Sequence, residues 1–474
     1  MQAIINNNNI HVDDFEDIWK GDIGHSRLFV EHNQNDIKLS SLSGEGYYFN
    51  QMRNLWEKKE NGQFVFQVSS FLEVQLRLLI NKLSMDKKSS DKPIEAAKIL
   101  KKVRTYKHAE SVWRLARTEL IDKDFQKKMN SPSHLLPLQK GRVIDLRTLE
   151  VRLRKKDDYF DFELPFEFLK SPLPNADKFF REIMNNDNDV VNYLQTILGY
   201  CITGETDLRS VWIFWGAGSN GKSTLCELLN KVLDKFYVAV DKRIFIEQEK
   251  TSSSHTSYLI PLMHARLSVL SETKEGEKLN EALIKTLTGN DTISARELYS
   301  KQITFKPVVK YIMLTNHKPT FNIDDQALLD RIKYVPFNAR FSSNPKPNEF
   351  KKDSKFIESL MSAHISEVFT WLCLGANKYY NLKGNIPIPQ SLQKATSEYI
   401  KELDNVSQFI KDKCKEDKNE KVKRSSLYEA YKNYCIENGL TYIRVQEFCK
   451  RLDVLNIERK VRDGYTYCFG LNLI

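Results

Sequence analysis

The residues with the most informative chemical spacing form a loop at positions 216–223. This segment, GAGSNGKS, matches the pattern G-x-x-x-x-G-K-[S/T] in full. Glycines at this spacing let backbone N–H groups and a helix N-terminus converge on phosphate oxygens, while the lysine neutralises the β- and γ-phosphates and the serine hydroxyl binds Mg²⁺. We therefore expect an ATP and Mg²⁺ site formed by Gly216, Ala217, Gly218, Ser219, Asn220, Gly221, Lys222, Ser223 and Thr224.

Two polar side chains that follow later strand-like segments could complete this site. Glu272 ends the segment RLSVLSE, and a carboxylate there could hold the metal's water shell and orient an attacking water. The alternative is a solvated strand-end carboxylate, and Glu275 and Glu277 are nearby carboxylates that could take the role instead. Asn316 follows VVKYIMLT, and its amide could donate to the γ-phosphate or the attacking water. An asparagine before a turn can also be turn chemistry alone.

Arg331 is the candidate that would act between subunits. It stands in QALLDRIKYVPF, just before another strand-like segment. A guanidinium at this position could reach the γ-phosphate held by a neighbouring subunit and stabilise the charge of the transition state. The alternative is a salt bridge with Asp330 or Asp325.

These candidates need a scaffold of buried strands that end at one edge of a sheet. The run VWIFW directly precedes the glycine-rich loop and has the composition of a fully buried strand. A helix pattern follows the loop, with apolar residues at Leu225, Leu228, Leu229 and Val232. Further strand-length apolar segments alternate with helix-length stretches, which predicts an α/β core with a largely parallel sheet. These segments are 267–270, 308–314 and 334–337.

The rest of the chain divides into segments of different periodicity. Residues 139–168 alternate apolar and polar side chains in RVIDLRTLEVRL and YFDFELPFEF, which predicts strands. Proline-bearing segments flank a helical stretch around Ile357–Leu374. We predict a mainly helical N-terminal domain (1–138), a short β segment and linker (139–174), the ATPase core (175–340), a helical subdomain and linker (341–395) and a C-terminal module (396–474).

The C-terminal module has the pattern of a winged helix. A helix is expected from about Glu398 to Lys413, a second opens with a capping box at Ser426–Glu429 and ends at Gly439, and a third precedes a hairpin turned by Asp463-Gly464. From residue 421 onward the module carries ten Lys and Arg against six Asp and Glu, which suits binding to duplex or forked DNA. Winged helices also dock proteins. The candidate DNA contacts are Arg444, Lys450 and Arg451 on the third helix and Arg459, Lys460 and Arg462 in the wing.

Composition excludes several classes of protein. The chain has 474 residues, 41% of them hydrophobic, and a net charge of +10 that by itself favours polyanionic partners only weakly. No window approaches the roughly 18 apolar residues of a spanning helix, and the first twenty residues lack a basic start and an apolar core. The seven cysteines are scattered, which is typical of buried thiols in a reducing compartment. We expect neither membrane insertion nor secretion.

Taken in order, FWGAGSNGKSTL, RLSVLSETKEGEKLNEALIKTLTGNDTISAREL, FKPVVKYIMLTNHKP and ALLDRIKYVPF resemble the consecutive motifs of superfamily 3 helicases. The resemblance is closest to the poxvirus-type primase-helicases of phages, plasmids and large DNA viruses. It implies a ring, usually a hexamer, of AAA+ type ATPase domains that pulls single-stranded DNA through a central pore. Lys222 and Ser223 would be the Walker A pair, Glu272 the Walker B acid, Asn316 sensor 1 and Arg331 an arginine finger acting in trans. In many relatives two arginines stand where this chain has Asp330-Arg331, so Arg331 would have to fill the role alone. Other branches have two Walker B acids, whereas this chain offers one clear candidate, Glu272.

The same resemblance implies a DNA-binding hairpin before sensor 1. The segment from Gly289 to Phe305 reads as two short strands around a polar tip. Arg296 and Lys301 would contact phosphates without regard to sequence, and Lys285 lies in the matching stretch. Any exposed hairpin carries a few charges, so these assignments are less specific than the glycine-rich loop.

We therefore expect an ATP-dependent replicative DNA helicase of a virus, phage or plasmid, which binds single-stranded and forked DNA and works with a separate primase or polymerase. It would act in the bacterial cytoplasm or at a viral replication site in an infected cell. One alternative is a primase-helicase component that synthesises primers, for which Asp161 and Glu163 could lie on one strand face. Another is an origin-binding protein in which ATP controls assembly only.

Overall fold

The computed structural model describes residues 12–41, 45–85, 91–248, 256–271, 273–296, 302–440 and 442–474. The chain divides into two compact units, Met1–Lys170 and Ser171–Ile474. The finer division into five parts remains a prediction. Within the described ranges, no helix is long and apolar enough to cross a membrane. Short 3-10 helices occur at Val12–Lys20, Lys156–Asp158, Asp234–Phe236, Lys242–Ile244 and Ser257–Met263.

Helices form most of the first unit. The longest of them turns a row of leucines inward, where Leu72 and Leu76 are completely buried and Leu79 is nearly so. These leucines pack with apolar side chains from the neighbouring helices into one core. The helices are α1 (Gly21–Asn33), α2 (Asn61–Met85), α3 (Lys92–Val103), α4 (Tyr106–Glu119) and α5 (Phe125–Lys128).

The first unit also contains two antiparallel sheets of three strands each. The first sheet was not predicted, because its aromatic residues are separated by polar ones and a turn. The second was expected from RVIDLRTLEVRL. The strands are β1 (Ile37–Leu39), β2 (Gly46–Asn50), β3 (Leu55–Lys59), β4 (Leu135–Leu138), β5 (Arg142–Asp145) and β6 (Glu150–Leu153).

The predicted strand over YFDFELPFEF is wrong. Phe160, Phe162 and Leu164 alternate into the interior as expected and are buried. The backbone, however, forms there a single isolated β-bridge to the described residues, between Leu138 and Leu164, and no ladder. Pro165, which has no N–H to donate, directly follows that bridge. Period-2 burial in this segment therefore reflects extended packing without a sheet ladder.

A five-stranded parallel sheet forms the centre of the second unit, in the order β13-β7-β12-β9-β8, which confirms the predicted α/β class. All of its pairings are parallel, so the carboxyl ends of the strands share one edge. The strands of this part are β7 (Val211–Trp215), β8 (Tyr237–Ala239), β9 (Leu267–Ser271), β10 (Ile293–Ala295), β11 (Ile303–Phe305), β12 (Lys310–Thr315), β13 (Ile332–Pro336), β14 (Phe341–Ser342) and β15 (Phe350–Lys351).

Helices cover both faces of this sheet, as a doubly buried parallel sheet requires. Gly199 and Gly375 let two of them approach closely, because a Cβ added to Gly375 would lie 2.0 Å from the carbonyl oxygen of Gln195. The helices are α6 (Pro174–Ile183), α7 (Asn188–Ile202), α8 (Lys222–Leu233), α9 (Glu281–Thr288), α10 (Gln326–Leu329), α11 (Ser354–Met361), α12 (Ile365–Asn381) and α13 (Gln390–Leu403).

The last part of the chain follows the order helix, strand, helix, helix, strand, strand. The helix expected at 398–413 is divided at Asp404, and the expected capping box at Ser426 is wrong, because that helix already begins at Arg424 without a side-chain cap. Asp463 and Gly464 have the predicted positive φ values of 52° and 77°. The elements are α14 (Asn405–Lys413), β16 (Cys414–Lys423), α15 (Arg424–Glu437), α16 (Val445–Val454), β17 (Arg459–Arg462) and β18 (Tyr465–Leu473), with sheet order β16-β18-β17.

Candidate functional site

The glycine-rich loop connects β7 to α8 with a backbone that needs its glycines. Gly218 and Gly221 have φ values of 103° and 85°, in the region that side chains with a Cβ rarely adopt. At Gly216 the constraint is steric, because a Cβ would lie 2.5 Å from the carbonyl oxygen of Phe337. This loop opens directly into α8, so backbone N–H groups and the helix N-terminus face the same space.

Lys222, the first residue of α8, is buried against the loop. Only 6% of its surface is exposed, and its Nζ donates to the Gly216 carbonyl oxygen at 2.6 Å and to Oδ1 of Asn220 and Asn316 at 3.1 Å each. Burial lowers the pKa of Lys222 to about 8. The structure thus brings together two side chains that sequence analysis predicted separately, the loop lysine and the asparagine that follows β12.

The order of the strands in the sheet explains why Asn316 lies in contact with Lys222. β12 lies directly beside β7, so Asn316 emerges next to the loop. The predicted acid Glu272 lies outside the described residues, and its strand β9 borders β12 rather than β7. Of its competitors, Glu277 accepts a hydrogen bond from the Lys274 backbone N–H at 3.0 Å within its own loop, and Glu275 is exposed.

A cavity of about 560 Å³ lies over the loop and includes Asn316 and residues from α6 and α11, within the usual size of small-molecule sites. These outer walls were not predicted. Lys178 places its Nζ 4.3 Å from the ring centroid of Phe356. Burial raises the pKa of the nearby Glu182 carboxyl. An aromatic ring and a half-buried carboxylate beside a phosphate-binding loop could contact the base and ribose of a nucleotide. No local motif marks them, because α6 and α11 meet the loop only through tertiary packing.

Ser223 and Thr224 also line this cavity, and Ser223 is exposed. A hydroxyl in the first turn of the helix after a glycine-rich loop suits Mg²⁺, which prefers oxygen ligands and retains several waters. The buried lysine, the loop glycines and this hydroxyl therefore fit a Mg²⁺-bound nucleoside triphosphate. Among the described residues, no group of three or more His, Cys, Asp or Glu side chains is placed to hold a metal ion by itself.

Arg331 is half-buried just before β13. Its Nε donates to Oγ1 of Thr288 at 3.0 Å and its Nη1 to the carbonyl oxygen of Ala327 at 2.5 Å. The alternative salt bridge with Asp330 or Asp325 does not occur within the part of the chain that the structure describes. The role of Arg331 between subunits remains a prediction.

The hairpin predicted as a DNA contact has its two short strands, because β10 and β11 pair antiparallel. Arg296 follows β10 and is exposed, whereas Lys301 lies outside the described residues. Lys285 forms an ion pair with Asp325, so its charge is balanced within the chain. This pairing favours a structural role for Lys285 over the predicted contact with DNA.

The predicted DNA-binding cations of the C-terminal part have different surroundings. Arg451 donates through Nε to Oδ2 of Asp404 at 2.9 Å, and only 16% of its side chain is exposed. Its position favours a structural role. Arg459 pairs with Asp453, which is 56% exposed. The other candidates are exposed, and they are Arg444, Lys450, Lys460 and Arg462.

The two carboxylates considered for primer synthesis, Asp161 and Glu163, both bind other side chains of the same chain. Asp161 accepts a hydrogen bond from Nδ2 of Asn130 at 3.0 Å. Glu163 forms an ion pair at 2.8 Å with Arg154, whose side chain is completely buried. Neither lies on a strand, so the shared strand face predicted for them is wrong.

Three family models match parts of the chain. Residues 26–185 match a model described as "D5 N terminal like", and residues 401–467 match "Poxvirus D5 protein-like". Residues 214–331, which contain the glycine-rich loop, match a family of unknown function, DUF5906.

Relatives among curated proteins come from large DNA viruses. "Putative helicase L207/L206" of Acanthamoeba polyphaga mimivirus is 30% identical over 329 residues, which are 66% of this chain and 34% of that protein. "Putative helicase 022R" of Frog virus 3 is 26% identical over 60% of this chain and 30% of that protein. "Putative primase C962R" of African swine fever virus is 22% identical over 62% of this chain and 32% of that protein. The chain thus spans about a third of the length of these relatives.

Among solved structures, "The A form apo structure of NrS-1 C terminal region-CTR" matches 66% of this chain and 80% of that chain, with 12% identity and a TM-score of 0.38. A score this low does not support a shared fold.

Proposed function

Because the chain carries both D5-type domains and belongs to the D5-type primase-helicase family, we propose that it is an ATP-driven helicase for the replication of viral DNA. It would assemble as a ring, a homohexamer, translocate on single-stranded DNA and unwind duplex at a fork. A viral replication site in an infected cell would be its place of action.

One observation carries this proposal, the hydrogen bond of 3.1 Å between Nζ of Lys222 and Oδ1 of Asn316. It joins a phosphate-binding lysine to an amide at the end of the adjacent strand, inside a cavity that can hold a nucleotide. A binding protein needs only the lysine. An enzyme that hydrolyses the γ-phosphate also needs a polar group beyond it, where the attacking water stands.

The chain's own residues then divide the work. Lys222 would bind the β- and γ-phosphates, and Asn316 would use Oδ1 to hold that lysine while its Nδ2 donates to the γ-phosphate or the attacking water. Ser223 and Glu272 would hold Mg²⁺, which when bound neutralises charge on the β- and γ-phosphate oxygens. Arg331 would stabilise transition-state charge on the nucleotide of the next subunit, which would require release of its hydrogen bonds to Thr288 and Ala327.

The architecture supports this assignment. We interpret the five-stranded sheet with its glycine-rich loop as an AAA+ type core, and β10 and β11 as the hairpin that contacts DNA in the pore. We likewise interpret the order of helices and strands from Asn405 onward as a winged helix. A separate primase or DNA polymerase would supply synthesis, because Asp161 and Glu163 are engaged within the chain.

The test compares ATP turnover with and without single-stranded DNA, and unwinding of a forked duplex. We expect DNA-stimulated turnover and strand separation. Asn316→Ala should keep ATP binding but lose turnover by about 10²–10³-fold, the usual effect of removing one group that stabilises the transition state. Asn344→Ala, which changes an exposed asparagine outside the cavity, is the control and should match the wild type.

Other outcomes would replace the proposal. Nucleotide binding without turnover under all DNA conditions would instead support the ATP-regulated origin-binding protein. Incorporation of labelled ribonucleotides into primers on a single-stranded template would support the primase alternative, and we expect none.

A further inference from the structure

One face of the C-terminal sheet carries basic and aromatic side chains together. Directly opposite residues on neighbouring strands point to the same face. Tyr467 of β18 lies opposite Lys423 of β16 and Lys460 of β17. By the same register Tyr465 faces Arg462, and Phe469 faces Lys421. Three rings at alternate positions of the central strand thus each lie opposite at least one cation, and Tyr467 lies between two. We call this surface the basic-aromatic face.

The opposite face of the same strands is the core of the module. Val422 and Cys468, which lie opposite each other, are both buried in the cluster that includes Leu427, Phe448 and Leu452 of the helices. Because side chains alternate along a strand, the basic-aromatic face must point away from this core. Tyr465 is accordingly 56% exposed.

The cations on this face lie near aromatic rings. Nζ of Lys423 lies 4.0 Å from the ring centroid of Tyr465, and that of Lys421 lies 4.8 Å from the ring of Tyr467. Of the face's cations, only Lys460 forms an ion pair with a side chain that the structure describes, Glu458, at 2.7 Å. The positive charge of the face is therefore largely available to an anionic partner.

Helix α16 and the residue before it, which carry three of the six DNA contacts predicted for the module, are poorer in available charge. Its Arg451 is bound to Asp404, which leaves Lys450 and the preceding Arg444 exposed. The basic-aromatic face combines more unpaired cations with one exposed ring, Tyr465, and two partly exposed rings, Tyr467 and Phe469. The chemistry of the module thus points to its sheet rather than to this helix.

We propose that the basic-aromatic face binds single-stranded DNA, with unpaired bases stacked on Tyr465 and Tyr467 and with Lys421, Lys423 and Arg462 on the phosphates. Aromatic rings accept any base, so such a surface is independent of sequence. Rings two residues apart on a strand are separated by about 7 Å, roughly twice the 3.4 Å spacing of stacked bases in duplex DNA. Only a strand whose bases have separated can place neighbouring bases on both rings.

The proposal relies on the proposed helicase function for the presence of single-stranded DNA, and it adds a contact outside the ATPase core. The face would hold a separated strand next to the ring. Stacking contributes to affinity without nucleotide turnover, so this site can be tested independently of ATP hydrolysis.

The test measures binding of the full chain, without nucleotide, to a labelled thymidine oligonucleotide and to a duplex of equal length by fluorescence anisotropy. The double variant Tyr465→Leu/Tyr467→Leu keeps every cation. We expect its affinity for the single strand to fall at least tenfold, because each stacked base contributes about 1–3 kcal/mol, while duplex affinity changes less than twofold. The matched control is Tyr442→Leu, which removes an exposed tyrosine with Lys432 5.7 Å from its ring but away from the face, and it should bind like the wild type.

A second variant keeps the test decisive if the double variant loses its cooperative thermal unfolding. Lys421→Gln/Lys423→Gln should weaken single-strand binding and reduce the slope of log affinity against log salt by about 1.4, the value for two phosphate contacts. Unchanged single-strand affinity, equal losses on single strand and duplex, or an equal loss in Tyr442→Leu would overturn the proposal. The same comparison in a Lys222→Ala background separates it from the proposed function, since inactive ATPase sites would leave the stacking difference intact.

Discussion

ATP binding should weaken as the pH rises from 7 to 9, and the reason is the burial of Lys222. The ammonium of this lysine must be charged to bind phosphates, yet burial disfavours the charged form and lowers its pKa to about 8. The sign follows directly, because binding is strong below the pKa, where the side chain is protonated, and is lost above it.

The size of the effect follows from the charged fraction. With a pKa of about 8, about nine tenths of Lys222 is protonated at pH 7, half at pH 8 and a tenth at pH 9. The dissociation constant for ATP should therefore rise about twofold by pH 8 and about tenfold by pH 9, a loss of roughly 1.4 kcal/mol. The ligand contributes little to this change, because the last phosphate ionisation has a pKa near 6.

The assay is a fluorescence titration with a non-hydrolysable ATP analogue at constant ionic strength. Lys222→Arg is the matched control, because a guanidinium stays charged throughout this range and its dissociation constant should be independent of pH whatever its absolute value. Lys310, whose pKa burial lowers to about 7, is present in both proteins and cannot produce a difference between them. A flat profile for the wild type, or the same slope in Lys222→Arg, would refute the reasoning.

Two further predictions concern the subunit interface and the C-terminal part. Arg331→Ala should bind ATP but not hydrolyse it, and mixing it with Lys222→Ala should restore part of the ATP turnover, because a shared site can combine intact residues from two subunits; absence of recovery would place Arg331 in its own subunit's chemistry. Asp404→Ala should lower the free energy of unfolding in urea by about 3–5 kcal/mol, because it removes the nearest carboxylate from the largely buried guanidinium of Arg451 and leaves it only the longer contact of 3.5 Å with Asp324. The control Asp453→Ala breaks a more exposed pair and should cost less than about 1 kcal/mol, and equal costs would contradict the assigned burial.

How much of the site could be predicted depended on how local its determinants are. The glycine-rich loop could be predicted because it is contiguous in the chain with the strand before it and the helix after it. Asn316 could be predicted to lie at the end of a strand, but its contact with Lys222 could be predicted only from the order of the strands in the sheet. Glu182 and Phe356 come from helices far apart in sequence, and only packing brings them to the cavity.

The errors in the fold have a related cause. The alternating segment around Phe160 was assigned to a strand because burial has period 2, but a sheet also needs a partner with free backbone groups, and most of this segment has none within the ladders described. The opposite error occurred at β16, where CKEDKNEKVK is too charged to predict a strand. Pairing with β18 overrides that propensity, and no local pattern could reveal it.

The segment that follows β12 connects the candidate nucleotide site to the C-terminal part of the same unit. It begins at Asn316, which contacts Lys222, and then the Pro319 carbonyl oxygen accepts a hydrogen bond from the buried Tyr399 of α13. A few residues later Asp324 lies 3.5 Å from Nη1 of Arg451 on α16. A displacement of Asn316 by a bound γ-phosphate would therefore act on a segment fixed at both later points. Arg451, whose sequence position suggested DNA binding, instead ties α16 to the segment that begins at Asn316.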